Sequence, residues 1–221
     1  MHCVSITTNR RIALRLYNRR NHTNMYKFKN KYRIASVRLQ NWNYGAMGSY
    51  FITICTKNKE YFFGEIVKGT MQLSDIGKVA ETEWLKTVEL RPDMKLELGE
   101  FIVMPNHFHA IVMIGENEYN SSQNNTQRRD AMHCVSTIVE TANNGNKFAP
   151  QSKNLASIAR GFKSSVTTYA RKIGNIDFKW QTRFHDHIIR DTESFNRIQN
   201  YIANNPSNWD DDRFNNKNDT P

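Results

Sequence analysis

Two histidines stand two residues apart in the segment FIVMPNHFHAIVMI, which spans residues 101–114. In a β-strand, the side chains at positions i and i+2 point to the same face. His107 and His109 would therefore project side by side, while Phe108 enters the opposite face. Two neighbouring imidazoles on a rigid strand make half of a divalent metal site. We expect the pair to be surface ligands, with a pair of inert surface histidines as the alternative.

A helix near the end of the chain carries two further groups that such a site needs. Tyr201 and Asn205 are four residues apart, so their side chains share one helical face. Asn205 offers an amide oxygen as a third ligand for Mg²⁺ or Mn²⁺. Tyr201 would attack a scissile phosphorus to give a phosphotyrosine, which a later 3′-hydroxyl can displace. A packing role at the edge of the helix is the alternative for Tyr201.

Two other groups of residues compete for these roles. Tyr169 is a rival nucleophile, but the residue four positions after it is Ile173, which cannot bind a metal. His185 and His187 form a second pair spaced by two, with Asp186 expected on the opposite, buried face. We expect DNA contacts or packing from this second pair.

The apolar pattern predicts a mixed α and β chain. The predicted strands are 50–56, 66–73 with a turn at Lys68-Gly69, Leu96–Met104 and His107–Ile114, the last two forming a hairpin through Pro105-Asn106. The predicted helices run from Ser74 or Asp75 to about Leu90, from Asn154 over about five turns to Gly174, and from Asp191 to Asn205 before Pro206. Phe195, Ile198 and Ile202 form the apolar stripe of the last helix.

Aromatic side chains alternate with basic and polar ones over residues 178–190. This pattern is typical of a surface that binds single-stranded nucleic acid, with rings for stacking and cations for phosphates. A half-buried strand whose aromatic residues are ordinary core would show the same pattern. The candidate DNA-binding residues, including two on the polar side of the preceding helix, are Lys163, Arg171, Lys179, Trp180, Arg183 and Arg190.

The net charge of +10 comes entirely from the N-terminal part of the 221-residue chain. Ten of the 31 Lys and Arg residues lie in 1–40, which has no acidic residue, and the other 21 match the 21 Asp and Glu residues. Residues 1–36 therefore read as a flexible basic arm for a polyanion such as nucleic acid. A solubilising tail and an Arg-rich targeting peptide are the alternatives.

The three cysteines have neither metal-binding nor redox spacing, which favours a reducing cytoplasm. No apolar run is long enough to span a membrane, so we expect no membrane association.

Residues 115–153 are rich in Asn, Gln, Ser and Thr and read as a flexible insertion. This insertion contains MHCVS at 132–136, which repeats residues 1–5 and has no physical explanation. Residues 210–221 read as a loose polar tail.

Three motifs together resemble the REP-associated tyrosine transposases, which belong to the single-tyrosine HUH transposases and nickases. They are the PNHFH segment at 105–109, the WQTRF segment at 180–184 and the YIANNP segment at 201–206. The resemblance covers roughly 37–209 apart from the insertion, and it implies a single domain over that range. It also implies an α+β fold with a ferredoxin-like antiparallel sheet, helices packed on that sheet, and the HUH motif on a central strand.

The resemblance implies cleavage of single-stranded DNA near hairpins through a 5′-phosphotyrosine intermediate and with a Mg²⁺ or Mn²⁺ cofactor. Tyr201 would be the nucleophile, and His107, His109 and Asn205 the metal ligands. The partner would be single-stranded or hairpin DNA, and the protein a monomer or a homodimer. The basic arm and the insertion depart from the compact members of the family.

Two other function classes stay open. One is a non-catalytic protein that binds hairpin or single-stranded DNA. The other is a metal-dependent hydrolase of small phosphoesters in which Tyr201 only orients the substrate.

Overall fold

The computed structural model describes residues 42–121 and 152–215, together with 27–28, 31–32 and 39. Most of the predicted arm and insertion, both MHCVS segments and the end of the predicted tail (216–221) lie outside the described residues. In the unit formed by Met1–Gln40, strand β1 (Lys27–Phe28) pairs antiparallel with β2 (Lys31–Tyr32). All elements described below belong to the second unit, Asn41–Pro221.

The described residues of the second unit form six strands. They are β3 (Gly48–Cys55), β4 (Gly64–Val67), β5 (Thr70–Leu73), β6 (Leu96–Met104), β7 (His107–Ile114) and β8 (His185–Ile189). Strands β4 and β5 form a separate hairpin whose turn residues, Lys68 and Gly69, both have positive φ, as a two-residue hairpin turn requires. The other four form one antiparallel sheet in the order β6-β7-β3-β8. The predicted hairpin of β6 and β7 is confirmed with the expected bounds.

Three helices begin at side-chain caps, as their sequences predict. They are α1 (Asp75–Leu85) capped by Ser74, α2 (Leu155–Lys172) capped by Asn154, and α3 (Thr192–Ala203) capped by Asp191. Among the described residues, none of the helices is both long and apolar enough to cross a membrane.

Helix α1 ends earlier than predicted, since the sequence pattern extended it to about Leu90. The N–H of Thr87 bonds to the carbonyl of Trp84, three residues back instead of four. Hydrogen bonds of this spacing tighten the chain out of α-helical geometry. Turns therefore replace the last predicted turn of the helix.

The chain order β3-α1-β6-β7-α2-β8 is the β-α-β-β-α-β order of a ferredoxin-like fold. The predicted fold class is confirmed: an α+β protein with an antiparallel sheet, helices packed on it, and the His-Phe-His segment on a central strand. Strand β7 lies between β6 and β3, and seven of its eight residues are buried. Burial on both faces explains why this strand is almost continuously apolar.

The two faces of the sheet pack against different helices. One face carries Phe108, Ala110 and Val112 into the main core, which also holds the buried sides of α1 and α2. On the other face, Ile111 and Ile189 pack against Ile202 of α3. Phe195 and Ile198 complete the contact, so the predicted apolar stripe of the last helix is confirmed. Helix α3 thus covers the face toward which the two histidines point.

The segment after α3 returns to this covered face. Residues Pro206–Asp211 form a 3-10 helix, and Trp209 within it is buried. Asn215 is 1% exposed, and its side chain bonds to the carbonyl of Trp209 and to the hydroxyl of Tyr61. The expected looseness from Asp210 onward is therefore wrong as far as Asn215, because these polar side chains have partners within the fold.

Candidate active site

His107 and His109 lie on the same face of β7, and their ring centroids are 4.5 Å apart. Their exposed fractions are only 0% and 1%, so the expectation of surface ligands is wrong. The ring of Phe214 lies 4.4 Å from the ring of His107, and the ring of Tyr201 lies 5.3 Å from that of His109. Helix α3 and the segment after it have buried both imidazoles.

The tautomer of His107 follows from the hydrogen bonds of Asn106. The Asn106 Nδ2 group donates to the carbonyls of Lys59 and Phe214, at 3.0 and 2.7 Å. Its Oδ1 atom lies 2.9 Å from Nδ1 of His107 and can only accept. Nδ1 of His107 therefore carries the proton, and Nε2 keeps its lone pair. That Nε2 atom is buried and has no hydrogen-bond partner in the part of the chain that the structure describes.

His109 is oriented by a residue of the neighbouring strand. Thr53 faces His109 across the β3–β7 pair, and its Oγ1 atom lies 2.9 Å from Nδ1 of His109. The Nε2 atom lies 3.3 Å from the hydroxyl oxygen of Tyr201. Both hydroxyls can donate or accept, so either neutral tautomer satisfies these contacts. In the tautomer with the proton on Nδ1, Nε2 accepts from Tyr201 and keeps a lone pair on the side of that tyrosine.

Asn205 completes the set of candidate ligands. It is 2% exposed, and its Nδ2 group donates to Oδ2 of Asp212 at 3.3 Å. Its Oδ1 atom is buried and, among the described residues, has no partner. A buried acceptor without a partner costs about 1–3 kcal/mol, and an ion is one of its ordinary explanations.

The charge state of the histidines suits a cation. Burial lowers the pKa of His109 to about 3 and that of His107 well below its usual value, and the positive charge of Arg213 adds to both effects. Both rings are neutral at physiological pH, which is the form that binds a metal. Two imidazole nitrogens and an amide oxygen therefore fit a divalent cation. Within the described ranges, no group of three or more His, Cys, Asp or Glu residues could hold a metal, so a site at these two histidines would need a ligand of another type, such as Asn205.

Tyr201 lies at the edge of the same space. Its side chain is exposed to 43%, and its ring meets Phe51 edge-on at 6.3 Å. Burial of the hydroxyl and the carboxylate of Asp212 raise the pKa of Tyr201, while a hydrogen bond from Asn205 and the charge of Arg213 oppose the rise. The hydroxyl is therefore protonated at neutral pH, and it lies beside Nε2 of His109 and the side chain of Asn205.

The rival residues are not part of the group formed by His107, His109, Tyr201 and Asn205. Tyr169 belongs to α2, which packs on the opposite face of the sheet. His185 and His187 lie on the histidine face, with His185 opposite Thr53 on the far side of β3. Both are exposed, while Asp186 is half-buried. The expected alternation in β8 holds, but this pair lies two strands away from His109.

The structure brings three of the six candidate DNA-binding residues together. Lys163 donates to the carbonyls of Gln181 and Arg183, at 2.8 and 2.6 Å. Trp180 is half-buried, with its indole N–H bonded to the carbonyl of Lys163 and its ring against Phe162 and other core rings. Packing, the alternative interpretation, accounts for Trp180.

The other three candidates, Arg171, Lys179 and Arg190, keep their side chains at the surface, and the side chain of Arg183 is exposed as well. Arg183 and Lys179 lie in the loop before β8, whereas Arg171 lies about two turns beyond Lys163 on α2. Their contact with DNA stays a prediction.

Three residues that orient the ligands were not identified from the sequence. Thr53 has no signal beyond its place in a strand, and its role depends on the register of β3. The position of Asn106, directly before the first histidine, is a local signal that could have been used. Asp212 lies in a segment whose polar composition suggested a loose tail.

The site thus lies on the four-stranded sheet of an α+β protein. No family model matches the sequence. The chain is 38% identical over 179 residues to an uncharacterized protein of Haemophilus influenzae, a match that covers 81% of this chain and 91% of that protein. The chain belongs to the same family as that Haemophilus protein.

Two solved structures are also similar to this chain. One is a REP-associated tyrosine transposase bound to a REP hairpin, with a TM-score of 0.47 and 18% identity, covering 81% of this chain and 74% of that chain. The other is a Deinococcus radiodurans protein assigned as a transposase, with a TM-score of 0.35 and 11% identity, covering 76% of this chain and 97% of that chain. At these scores the likenesses carry no conclusion about chemistry.

Proposed function

We propose that this protein is a transposase that cleaves and rejoins single-stranded DNA near hairpins through a 5′-phosphotyrosine intermediate. Tyr201 is the nucleophile in this proposal. His107, His109 and Asn205 hold a Mg²⁺ or Mn²⁺ ion. The motifs around these residues, and their resemblance to the REP-associated tyrosine transposases, give the reaction class.

One observation carries the proposal. The hydroxyl oxygen of Tyr201 lies 3.3 Å from Nε2 of His109, and Nε2 of His107 and Oδ1 of Asn205 are buried without partners among the described residues. The candidate nucleophile thus lies beside one candidate ligand, although the strand and the helix that carry them are distant in sequence. Two further buried acceptors without partners are what an empty cation site would leave, which supports the proposal.

The residues of this chain suggest how the reaction would proceed. When bound, the divalent cation would polarise the phosphoryl oxygens of the scissile phosphodiester. The Tyr201 oxygen forms a bond to phosphorus while the bond from phosphorus to the 3′-oxygen breaks. The proton of the half-exposed Tyr201 hydroxyl passes to solvent water, and the departing 3′-oxygen takes up a proton from solvent water. The products are a 5′-phosphotyrosine and a free 3′-hydroxyl.

The reverse reaction gives strand transfer. A 3′-hydroxyl from another strand attacks the phosphotyrosine, a new phosphodiester forms, and Tyr201 leaves with a proton. Phe51 supports the tyrosine ring during both steps through its edge-on contact. The basic residues 1–36 would add electrostatic affinity for the DNA. A cytoplasmic monomer or homodimer is the expected form of the protein.

A non-catalytic hairpin-binding protein is the second candidate. The observation in its favour is the burial of His107 beneath Phe214, whose ring lies 4.4 Å away. A site that is permanently closed in this way could not admit a phosphate. A covalent adduct with DNA would exclude this candidate.

The test is the formation of that adduct. Wild-type protein is incubated with single-stranded hairpin DNA and Mn²⁺, and the products are run on a denaturing gel. Wild type should give a protein–DNA adduct with a free 3′-hydroxyl on the released strand. Tyr201→Phe removes only the hydroxyl oxygen, so the adduct should disappear while the fold persists.

Tyr169→Phe is the matched control and should form the adduct normally. An adduct in the Tyr201→Phe protein but not in the Tyr169→Phe protein would assign the nucleophile to α2. Cleavage without an adduct in wild type and in both variants would identify water as the nucleophile and favour the phosphoester hydrolase.

A further inference from the structure

Each candidate ligand has a hydrogen-bond partner behind it. Asn106 Oδ1 accepts from His107, Asp212 Oδ2 accepts from Asn205, and Thr53 Oγ1 lies 2.9 Å from Nδ1 of His109. Such partners fix the orientation of metal ligands, and their loss typically lowers metal affinity about 10–100-fold. Asp212 differs from the other two because it acts on an amide, whose two ends have opposite hydrogen-bonding character.

The carboxylate of Asp212 is itself fixed at both oxygens. Its Oδ1 atom accepts the backbone N–H of Phe214 at 2.7 Å, and its Oδ2 atom faces Nδ2 of Asn205 at 3.3 Å. An ionised carboxylate has no donor, so it can pair only with the NH₂ end of the amide. The oxygen end of Asn205, which is buried and has no partner among the described residues, is then the end left to meet a cation. With the amide reversed, two oxygens would oppose each other and an N–H group would take the place of that free oxygen.

We propose that Asp212 is a positioning residue for the metal site, selecting the amide orientation in which Asn205 presents oxygen to a divalent cation. This inference rests on the proposed function, since it takes Asn205 to be a ligand. It assigns to the segment after α3 a role in completing the site, because the same segment supplies the Phe214 carbonyl that orients Asn106. The site is therefore built from the sheet, from α3 and from residues 212–214 together.

Asp212→Asn tests the inference with almost no change of shape. The backbone N–H of Phe214 can bond only to the oxygen of the new side chain, which leaves its NH₂ group facing Asn205. Asn205 should then reverse its amide and turn an N–H group toward the cation site. We expect Mn²⁺ affinity, measured by calorimetry on the full chain without DNA, to fall about 10–100-fold.

Two further variants separate positioning from a general effect of charge or folding. Asp211→Asn removes the same charge from an exposed neighbouring residue and should leave the affinity unchanged. Asn205→Asp replaces the amide by a carboxylate, which presents oxygen in either orientation. In that background Asp212→Asn should cause no loss of affinity. A purely structural role for Asp212 would lower the affinity in both backgrounds and would overturn the inference.

His107→Ala distinguishes failure of the inference from failure of the proposed function. If wild type binds Mn²⁺, His107→Ala abolishes binding and Asp212→Asn binds as wild type, the metal site stands and the positioning role is refuted. If wild type binds no Mn²⁺, both the metal site and the positioning role are refuted. The role of Asp212 is supported if Asp212→Asn lowers the Mn²⁺ affinity of the protein that retains Asn205 but not of the protein that carries Asn205→Asp.

Discussion

The burial of His109 predicts how the stability of the protein should depend on pH. Burial, together with the charges of Arg213 and His185, lowers the pKa of His109 from the ordinary value of 6.5 to about 3, and a hydrogen bond to the Ile52 carbonyl opposes this only in part. The unfolded chain therefore takes up a proton on His109 as the pH falls through 6.5, whereas the folded chain does not. The contribution of neutral His109 to the free energy of unfolding is fully present above pH 6.5 and is lost progressively as the pH falls toward 3.

The size of this effect follows from the two pKa values. Consider one histidine whose pKa is 6.5 in the unfolded chain and about 3 in the folded chain. When the pH falls from 7.5 to 5.5, this histidine lowers the free energy of unfolding by RT ln 10, or about 1.4 kcal/mol. His109→Gln keeps an amide of similar size and removes the titration. Over the same fall in pH, the free energy of unfolding of the variant should therefore decrease by about 1.4 kcal/mol less than that of wild type.

Urea unfolding at the two pH values, with a chelator present to exclude metal, measures the difference. The readout is the change between pH values, so any uniform destabilisation by the substitution cancels. His187→Gln is the matched control, because His187 is exposed and its removal should change the pH dependence less. Equal losses of stability in wild type and in His109→Gln would show that His109 is protonated in the folded protein, and the argument for a neutral ligand would fail.

Two further predictions concern the basic residues. Deleting residues 1–36 should weaken DNA binding and reduce the slope of log binding constant against log salt concentration by about 0.7 per lost phosphate contact. Binding titrations at several salt concentrations measure this slope, and an unchanged slope would show that the arm does not contact phosphates. Lys163→Met should lower the free energy of unfolding by about 1.5 kcal/mol, because the ammonium group donates to the carbonyls of Gln181 and Arg183. Lys179→Met is the control for that change, and equal stability of both variants would contradict a structural role for Lys163.

Local periodicity was enough to predict the parts of the site that lie within one element. The alternation of β7 placed His107 and His109 on one face, and the stripe of α3 placed Ile198 and Ile202 against the sheet. The i, i+4 spacing also brought Tyr201 and Asn205 together, although α3 ends at Ala203 and Asn205 continues it with helical backbone angles. These inferences need only the geometry of a strand or a helix, which the sequence reveals directly.

The burial of the site depends on contacts between distant segments and was not predicted. The many Asn and Asp residues of 206–215 are typical of exposed turns and outweighed Trp209 and Phe214, the two aromatic residues of the segment that pack against the site. In the fold, Asn215 bonds to Tyr61, and Lys59 donates to the carbonyl of Arg213. A polar side chain in such a segment indicates a loose tail or a specific contact, and only the position of its partner decides which.

The orientation of His109 shows most clearly where sequence reasoning ends. Thr53 reaches Nδ1 of His109 because the β3–β7 register sets these two residues opposite each other. A slip of one residue would turn every side chain of β3 to the other face and present Ile52 or Ile54 instead. Both isoleucines are fully buried in the main core, so the apolar side of β3 fixes the register that places a hydroxyl on its polar side. The packing of one face of the sheet therefore determines the chemistry of the other.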